Sequence, residues 1–114
     1  MGNPAGVVLA AERLDTAMMQ HLAQAVRFNE TVFILPSDCA NLRLRYFTPG
    51  QEVDLCGHAT TAAFIALHMH GFLPDTGFPR ALTLKTRAGL LPITVELGPQ
   101  DEPWVVMTQN PARF

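Results

Sequence analysis

Apolar positions in this chain recur at two spacings, and the change from one to the other marks the elements. Residues 57–70 read as a helix of about four turns that holds no charged residue and almost no polar face. A helix apolar all round is a buried one. Ala59, Ala62, Ala63 and Ala66 keep its surface narrow, so strands can approach it on several sides. The expectation is a sheet wrapped around a buried central helix over residues 57–70. Gly71 stands where that helix ends, with His68 and His70 in its last turn at the negative end of the dipole. Upstream, Leu14, Met18, Leu22 and Val26 repeat at fourfold spacing behind Asp15, a good N-cap, which predicts an amphipathic surface helix over about 15–27.

Strand patterns surround the two helices. Val7-Val8-Leu9-Ala10 is a short apolar strand, and Thr31-Val32-Phe33-Ile34-Leu35, ending at Pro36, is apolar on both sides as a covered strand is. In the run 42–47, Leu42, Leu44 and Tyr46 alternate with Arg43, Arg45 and Phe47, which predicts a strand with one polar face. Pro49-Gly50 then turns the chain into a loop that feeds the central helix. Runs 82–86 and 91–97, with Ala88-Gly89 between them, predict a hairpin whose second strand, bearing Pro92, lies at an edge. Trp104 to Thr108 is a last strand. The fold class is α+β: a mixed or antiparallel sheet around one buried helix, with a second helix on the surface.

The 114 residues, 48% hydrophobic and 16% charged, suit one domain with an ample core, so residues 1–114 are read as a single unit. The formal net charge of −2 and the scattered Lys and Arg show no nucleic-acid footprint. No apolar run approaches membrane-spanning length, and the first residues lack the basic flank and long apolar stretch of a signal peptide. Cys39 and Cys56 form neither a paired framework nor a Cys-x-x-Cys motif, so a reduced, cytoplasmic setting is the expectation. His68 and His70 are two apart on a helix and point to different sides, so no metal site is read.

Chemistry concentrates at the first turn of the central helix. Cys56, Gly57 and His58 stand where free backbone N–H groups and the positive dipole end favour a bound anion. Cys56 is either a thiol whose pKa the helix terminus lowers or a small apolar filler. His58 is either a ligand for an anion or a satisfied structural histidine. Glu30, between a helix and an apolar strand, is either a partly desolvated acid/base or a solvated loop carboxylate. Asn3, in the turn Gly2-Asn3-Pro4-Ala5-Gly6, either orients the site or makes the turn by bonding its own backbone.

Three ordered segments resemble one known family. Gly2-Asn3-Pro4-Ala5-Gly6-Val7-Val8, then Asn29-Glu30-Thr31-Val32-Phe33, then Arg45-Tyr46-Phe47-Thr48-Pro49 running through Glu52-Val53-Asp54-Leu55 to Cys56-Gly57-His58-Ala59-Thr60, are similar to the PhzF-like phenazine-biosynthesis isomerases, which share the diaminopimelate epimerase fold. The resemblance implies a cofactor-independent isomerase in which Glu30 is the general acid/base. Gly57 and His58 would bind a substrate carboxylate, Asn29 would stand in for the family's serine before the Glu, and Asn3 would line the cleft. Relatives sharing the fold place a catalytic thiol at the position of Cys56. The family has two similar domains with the site between them, and this chain matches only the first, without that domain's first strand. The expectations are therefore a small carboxylic-acid substrate and completion of the site by a homodimer or a separately encoded second half. The other reading is a non-catalytic binding module or a truncated remnant.

Overall fold

The computed structural model describes residues 5–72, 80–99 and 103–107. Seven strands and two α-helices follow one another: β1 (Ala5–Val8), α1 (Thr16–Val26), β2 (Glu30–Leu35), β3 (Leu42–Phe47), β4 (Glu52–Val53), α2 (Gly57–Met69), β5 (Arg80–Thr86), β6 (Gly89–Leu97) and β7 (Pro103–Met107). A single 3-10 turn, Ala11–Arg13, precedes α1. The strands form one mixed sheet in the order β1-β2-β3-β5-β6-β7, with the short β4 pairing β3 off this path. β1 pairs β2 and β3 pairs β5 in parallel, and the other ladders are antiparallel. Parallel neighbours need a crossover. The segment carrying α1 makes the first and the segment carrying α2 makes the second. The α+β architecture with a curled mixed sheet is thus as the hydrophobic spacing implies.

The two crossovers fall on opposite faces of the sheet. On the inner face Val32, Ile34, Leu44, Tyr46, Leu84, Ile93 and Val95 pack against Ala59, Ala63, Phe64 and Leu67 of α2. On the outer face Phe33 and Phe47 meet edge to face, with ring centroids 5.3 Å apart, and are covered by Met19 and Ala23 of α1. Asp15 caps α1 as read, its carboxylate accepting from the Met18 N–H at 2.8 Å. At α2 the cap is Cys56.

Several expectations are corrected. α2 is not buried all round: Ala59, Thr60, Ala63, Phe64 and Leu67 are buried, but Ile65 is 39% and Met69 77% exposed. β1 and β7, the outermost strands of the sheet, both reach α2 but are not paired with each other. α1 turns a different stripe inward from the one with fourfold spacing. Met19 and Ala23 are buried, whereas Met18, Leu22 and Val26 are 51%, 37% and 46% exposed. Pro92 does not mark an edge, because β6 pairs β5 on one side and β7 on the other. The described β6–β7 pairs begin at Ile93, so Pro92 stands one residue outside that ladder. The loop between β3 and α2 contains β4, too short to show a period of its own. Asn3 and the last residues of the chain lie outside the described residues.

The segment between β3 and α2 is held tightly. Thr48 closes a turn with Gln51, its N–H donating to the Gln51 carbonyl at 2.8 Å while its Oγ1 accepts from the N–H groups of Gly50 and Gln51. Gln20 of α1 donates to the Thr48 carbonyl at 3.0 Å. Arg45 donates to both carboxylate oxygens of Glu52 at 2.9 and 2.8 Å, with their side chains only 13% and 14% exposed. The Arg45 guanidinium also donates to Thr16 Oγ1 and lies 5.4 Å from the centre of the Phe47 ring. Arg87 adds contacts to Glu52 and Asp54 at 3.8 and 3.4 Å. The hydrogen bond from Arg45 holds the Glu52 carboxyl below its ordinary range, against the opposing effect of burial.

A carboxyl lowered by folding stabilises fully above its unfolded value, and that stabilisation is lost as pH falls through the folded value. Glu52→Gln is therefore expected to destabilise the chain by about 1 kcal/mol at pH 7. Urea unfolding should show the gap between variant and wild type closing as pH is taken below the ordinary carboxylate range. A gap that persists in acid would mean that the pair contributes by packing alone.

Candidate active site

The head of α2 takes its shape from Cys56. This residue is extended (φ −142°, ψ 112°), and its sulfur accepts from the Ala59 N–H at 3.4 Å, as a capping side chain does. Its carbonyl already accepts the first helical bond, from the Thr60 N–H at 3.0 Å. Gly57 and His58, the first two residues of the helix, are exposed. N–H groups of a first helical turn have no carbonyl partner within the helix. That of Ala59 turns to the Cys56 sulfur, and that of Gly57 stands at the positive end of the dipole.

Glu30 opens β2 and is partly buried, with Ala5 of β1 as its ladder partner. The sheet carries it to the head of α2, where its carboxyl lies close enough to the Cys56 thiol to act on it. Burial pushes the thiol pKa up, and the neighbouring Glu30 carboxyl adds to that effect. The N–H groups of Ala59 and His58 oppose it and are outweighed. Of the two readings left open for Cys56, the thiol lowered by the helix terminus is the one that this balance opposes, because burial and the neighbouring Glu30 favour the protonated form. A carboxylate beside a thiol at a dipole end can take a proton from a carbon acid held there and return it on the same side.

Four of the residues singled out in the sequence are thus placed at one end of α2: Glu30, Cys56, Gly57 and His58. Asn29 is exposed beside Glu30. Asn3 lies outside the described residues. Cys39 is exposed after the far end of β2, with its sulfur 3.6 Å from Ser37 Oγ, and takes no part. Among the described residues there is no group of three His, Cys, Asp or Glu side chains able to hold a metal ion. No described helix is long and apolar enough to cross a membrane. An apolar hollow of about 450 Å³, lined by Leu9, Ile34, Leu42, Leu67 and Leu82, lies at the other end of α2, away from Glu30 and Cys56.

Neighbours that the sequence reading passed over support this end of the helix. The hydroxyl of Tyr46 lies 2.6 Å from Thr60 Oγ1, which in turn donates to the Cys56 carbonyl at 2.9 Å. Two spacings pointed to this pairing: Thr60 follows Cys56 by one helical turn, and Tyr46 alternates onto the inner face of β3. Gly6 permits a close approach. A Cβ there would stand 2.8 Å from a ring carbon of Phe28 and 3.3 Å from Thr31 Oγ1, so glycine lets Phe28 close over the ladder beside Glu30. The Thr31 hydroxyl beneath is buried without a hydrogen-bond partner.

Comparison with known proteins places these features in context. The sequence profile of the phenazine biosynthesis-like proteins, PhzC-PhzF, matches residues 1–113. The uncharacterized isomerase YfhB of Bacillus subtilis is 46% identical over 94 residues, which are 82% of this chain and 31% of the relative. A crystal structure of a PhzF-family phenazine biosynthesis protein of Bacillus anthracis superposes with a TM-score of 0.84 at 46% identity, covering 96% of this chain and 36% of that one. A hydroxyproline epimerase of Agrobacterium vitis, crystallised with trans-4-hydroxy-L-proline, shares the fold at 18% identity with a TM-score of 0.64, over 86% of this chain and 31% of that protein. The chain spans about a third of the length of the relatives it matches.

The state of Cys56 is open to direct measurement. In a Cys39→Ser background, the pH profile of iodoacetamide alkylation should place the Cys56 midpoint above that of an ordinary thiol. Glu30→Gln should move it down, since the carboxylate that disfavours the thiolate is gone. A midpoint unmoved by that substitution would mean that the two groups do not interact.

Proposed function

Because the chain belongs to the phenazine biosynthesis-like (PhzC-PhzF) family, we propose that the head of α2 is one half of the active site of a cofactor-independent isomerase or epimerase that moves a proton on a small carboxylic acid. The observation that carries this reading is the Glu30 carboxyl standing beside Cys56 at the open N-terminus of α2, where Gly57 and His58 are exposed. Gly57 and His58 bind the substrate carboxylate, through the Gly57 backbone N–H and the His58 imidazole, and Asn29 adds a hydrogen bond at the rim. Glu30 then removes a proton from the carbon next to the carboxylate or conjugated with it. The charge that develops is held by the same donors that bound the ground state, now more strongly. Return of the proton to a different carbon, or delivery of a proton to the other face of the same carbon by an acid of the covering body, completes the turnover, with the Cys56 thiol as a further proton donor on the Glu30 side. Atoms balance without an oxidant or reductant, so the site residues need no cofactor.

Glu30, Gly57 and His58 are open to solvent on one side, and a carbon acid is best ionised where water is kept out. A second body must therefore cover the head of α2. A further domain of a longer polypeptide, a second copy of this chain related by a two-fold axis, or a separately encoded partner supplies that cover and the opposing acid/base. The unpaired cysteines fit a reducing cytoplasm. Phenazine precursors enter only through the family's name, and the substrate class is set here by the chemistry alone. The same openness of the site supports a second reading, a module that binds a carboxylate without turnover, as would a remnant of a longer enzyme.

Solvent exchange separates the two. Incubated in D₂O with small carboxylic acids bearing an acidic C–H, the assembled enzyme should wash deuterium into its substrate, and Glu30→Gln should slow this at least ~100-fold. Exchange undiminished in the variant would remove Glu30 from the mechanism. Carboxylate binding without exchange in either protein would establish the binding module. Light scattering over a range of concentrations shows whether the assembly is a homodimer.

A further inference from the structure

Behind the open head of α2 runs a buried hydrogen-bond chain that the proposed chemistry does not touch. Tyr46 and Thr60 are both 0% exposed, and the phenol oxygen lies 2.6 Å from Thr60 Oγ1. Thr60 Oγ1 is 2.9 Å from the Cys56 carbonyl, which also accepts from the Thr60 N–H at 3.0 Å. The direction of the chain is fixed by what each group can do. A carbonyl oxygen only accepts, so the Thr60 hydroxyl proton points to Cys56, and Tyr46 must then donate to Thr60. Burial pushes the Tyr46 phenol up to about 12, so it remains a donor throughout the neutral range.

Packing does not explain the phenol. A phenylalanine would fill the same space between β3 and α2, and Thr60 would keep its bond to the Cys56 carbonyl, a local back-bond that needs no outside partner. The hydroxyl of Tyr46 is dispensable for satisfying its neighbour, yet it is carried into the core, where a polar group costs free energy to bury. What it changes lies at the far end of the chain. The carbonyl of Cys56 belongs to the same peptide group as the N–H of Gly57. Hydrogen bonds accepted at a carbonyl draw electron density toward oxygen and make the N–H of that peptide a stronger donor, by roughly 10–30% per bond in a cooperative series. They also hold the peptide plane in one orientation.

We propose that Tyr46 is a positioning residue that acts through Thr60 and the Cys56–Gly57 peptide to aim and strengthen the Gly57 N–H as an anion donor. The proposal rests on the reading of the head of α2 as a carboxylate site. It adds to that reading a residue that never meets the substrate, and it assigns the aromatic at position 46 a task beyond filling the core.

The test uses the full chain, labelled with ¹³C and ¹⁵N, with sodium acetate as the probe. In Tyr46→Phe the Cys56 carbonyl carbon and the Gly57 amide proton should both move upfield. Acetate affinity, followed at Gly57, should fall about threefold, within the range of one net hydrogen bond. Thr60→Val should reproduce these effects by cutting the same chain, and Thr60→Ser should restore the wild-type shifts and affinity, so the test stands even if one variant folds poorly. Wild-type acetate binding at Gly57 with no change in Tyr46→Phe or Thr60→Val would overturn the positioning role and leave the carboxylate site intact. No response of Gly57 to acetate in the wild type would overturn the carboxylate reading itself, and the positioning role with it.

Discussion

The structure depends on how closely a small-residue helix face can approach a curled sheet. Ala59 and Ala63 are wholly buried against the inner face, with Phe64 and Leu67 filling the wider spaces to either side. Interiors are packed at crystal-like density, so a larger side chain at either alanine would have to push strands apart. The close contact brings the start of β2 beside the start of α2, and with it Glu30 beside Cys56. A carboxylate and a helix N-terminus that are far apart in sequence meet because the alanines leave no room between their elements.

Around that contact the fold spends polar interactions on the segment leading into the helix. The paired Arg45 and Glu52, the Thr48 turn and the bond from Gln20 fix the chain from β3 to Asp54. Inside, Tyr46 and Thr60 fix the peptide that follows Cys56. Outside, Gly57 and His58 remain exposed. The head of α2 is therefore rigid from behind and open in front. Such an arrangement suits a site whose donors are set in advance and whose cover comes from elsewhere. Cys56 shows how the balance is struck: helix N–H groups alone would favour a thiolate, but burial and the neighbouring carboxylate keep the proton on sulfur.

Much of this was legible in the chain. The strands at 31–35, 42–47 and 91–97, the cap at Asp15 and the extent of α2 follow from period, capping and punctuation, which are local properties. The candidate residues Glu30, Cys56, Gly57 and His58 were legible too, from the chemistry expected at a helix head and from family resemblance. The apolar stripe of α1 misled, because fourfold spacing drifts around a helix of 3.6 residues per turn and the large flat rings of Phe33 and Phe47 selected Met19 and Ala23 instead. Pro92 misled because its missing N–H excludes one ladder position and not a whole strand.

By itself the sequence determined the identity and limits of most elements and the residue types at the head of α2, since backbone preference and hydrophobic period act over a few residues. Only the tertiary structure decided which face of each helix is covered, that β6 is an inner strand, and that burial, with Glu30 beside it, favours the protonated thiol. Those outcomes depend on which remote surfaces come into contact. Burial and charge at a residue are set by neighbours that lie far away in sequence, and no local pattern records them.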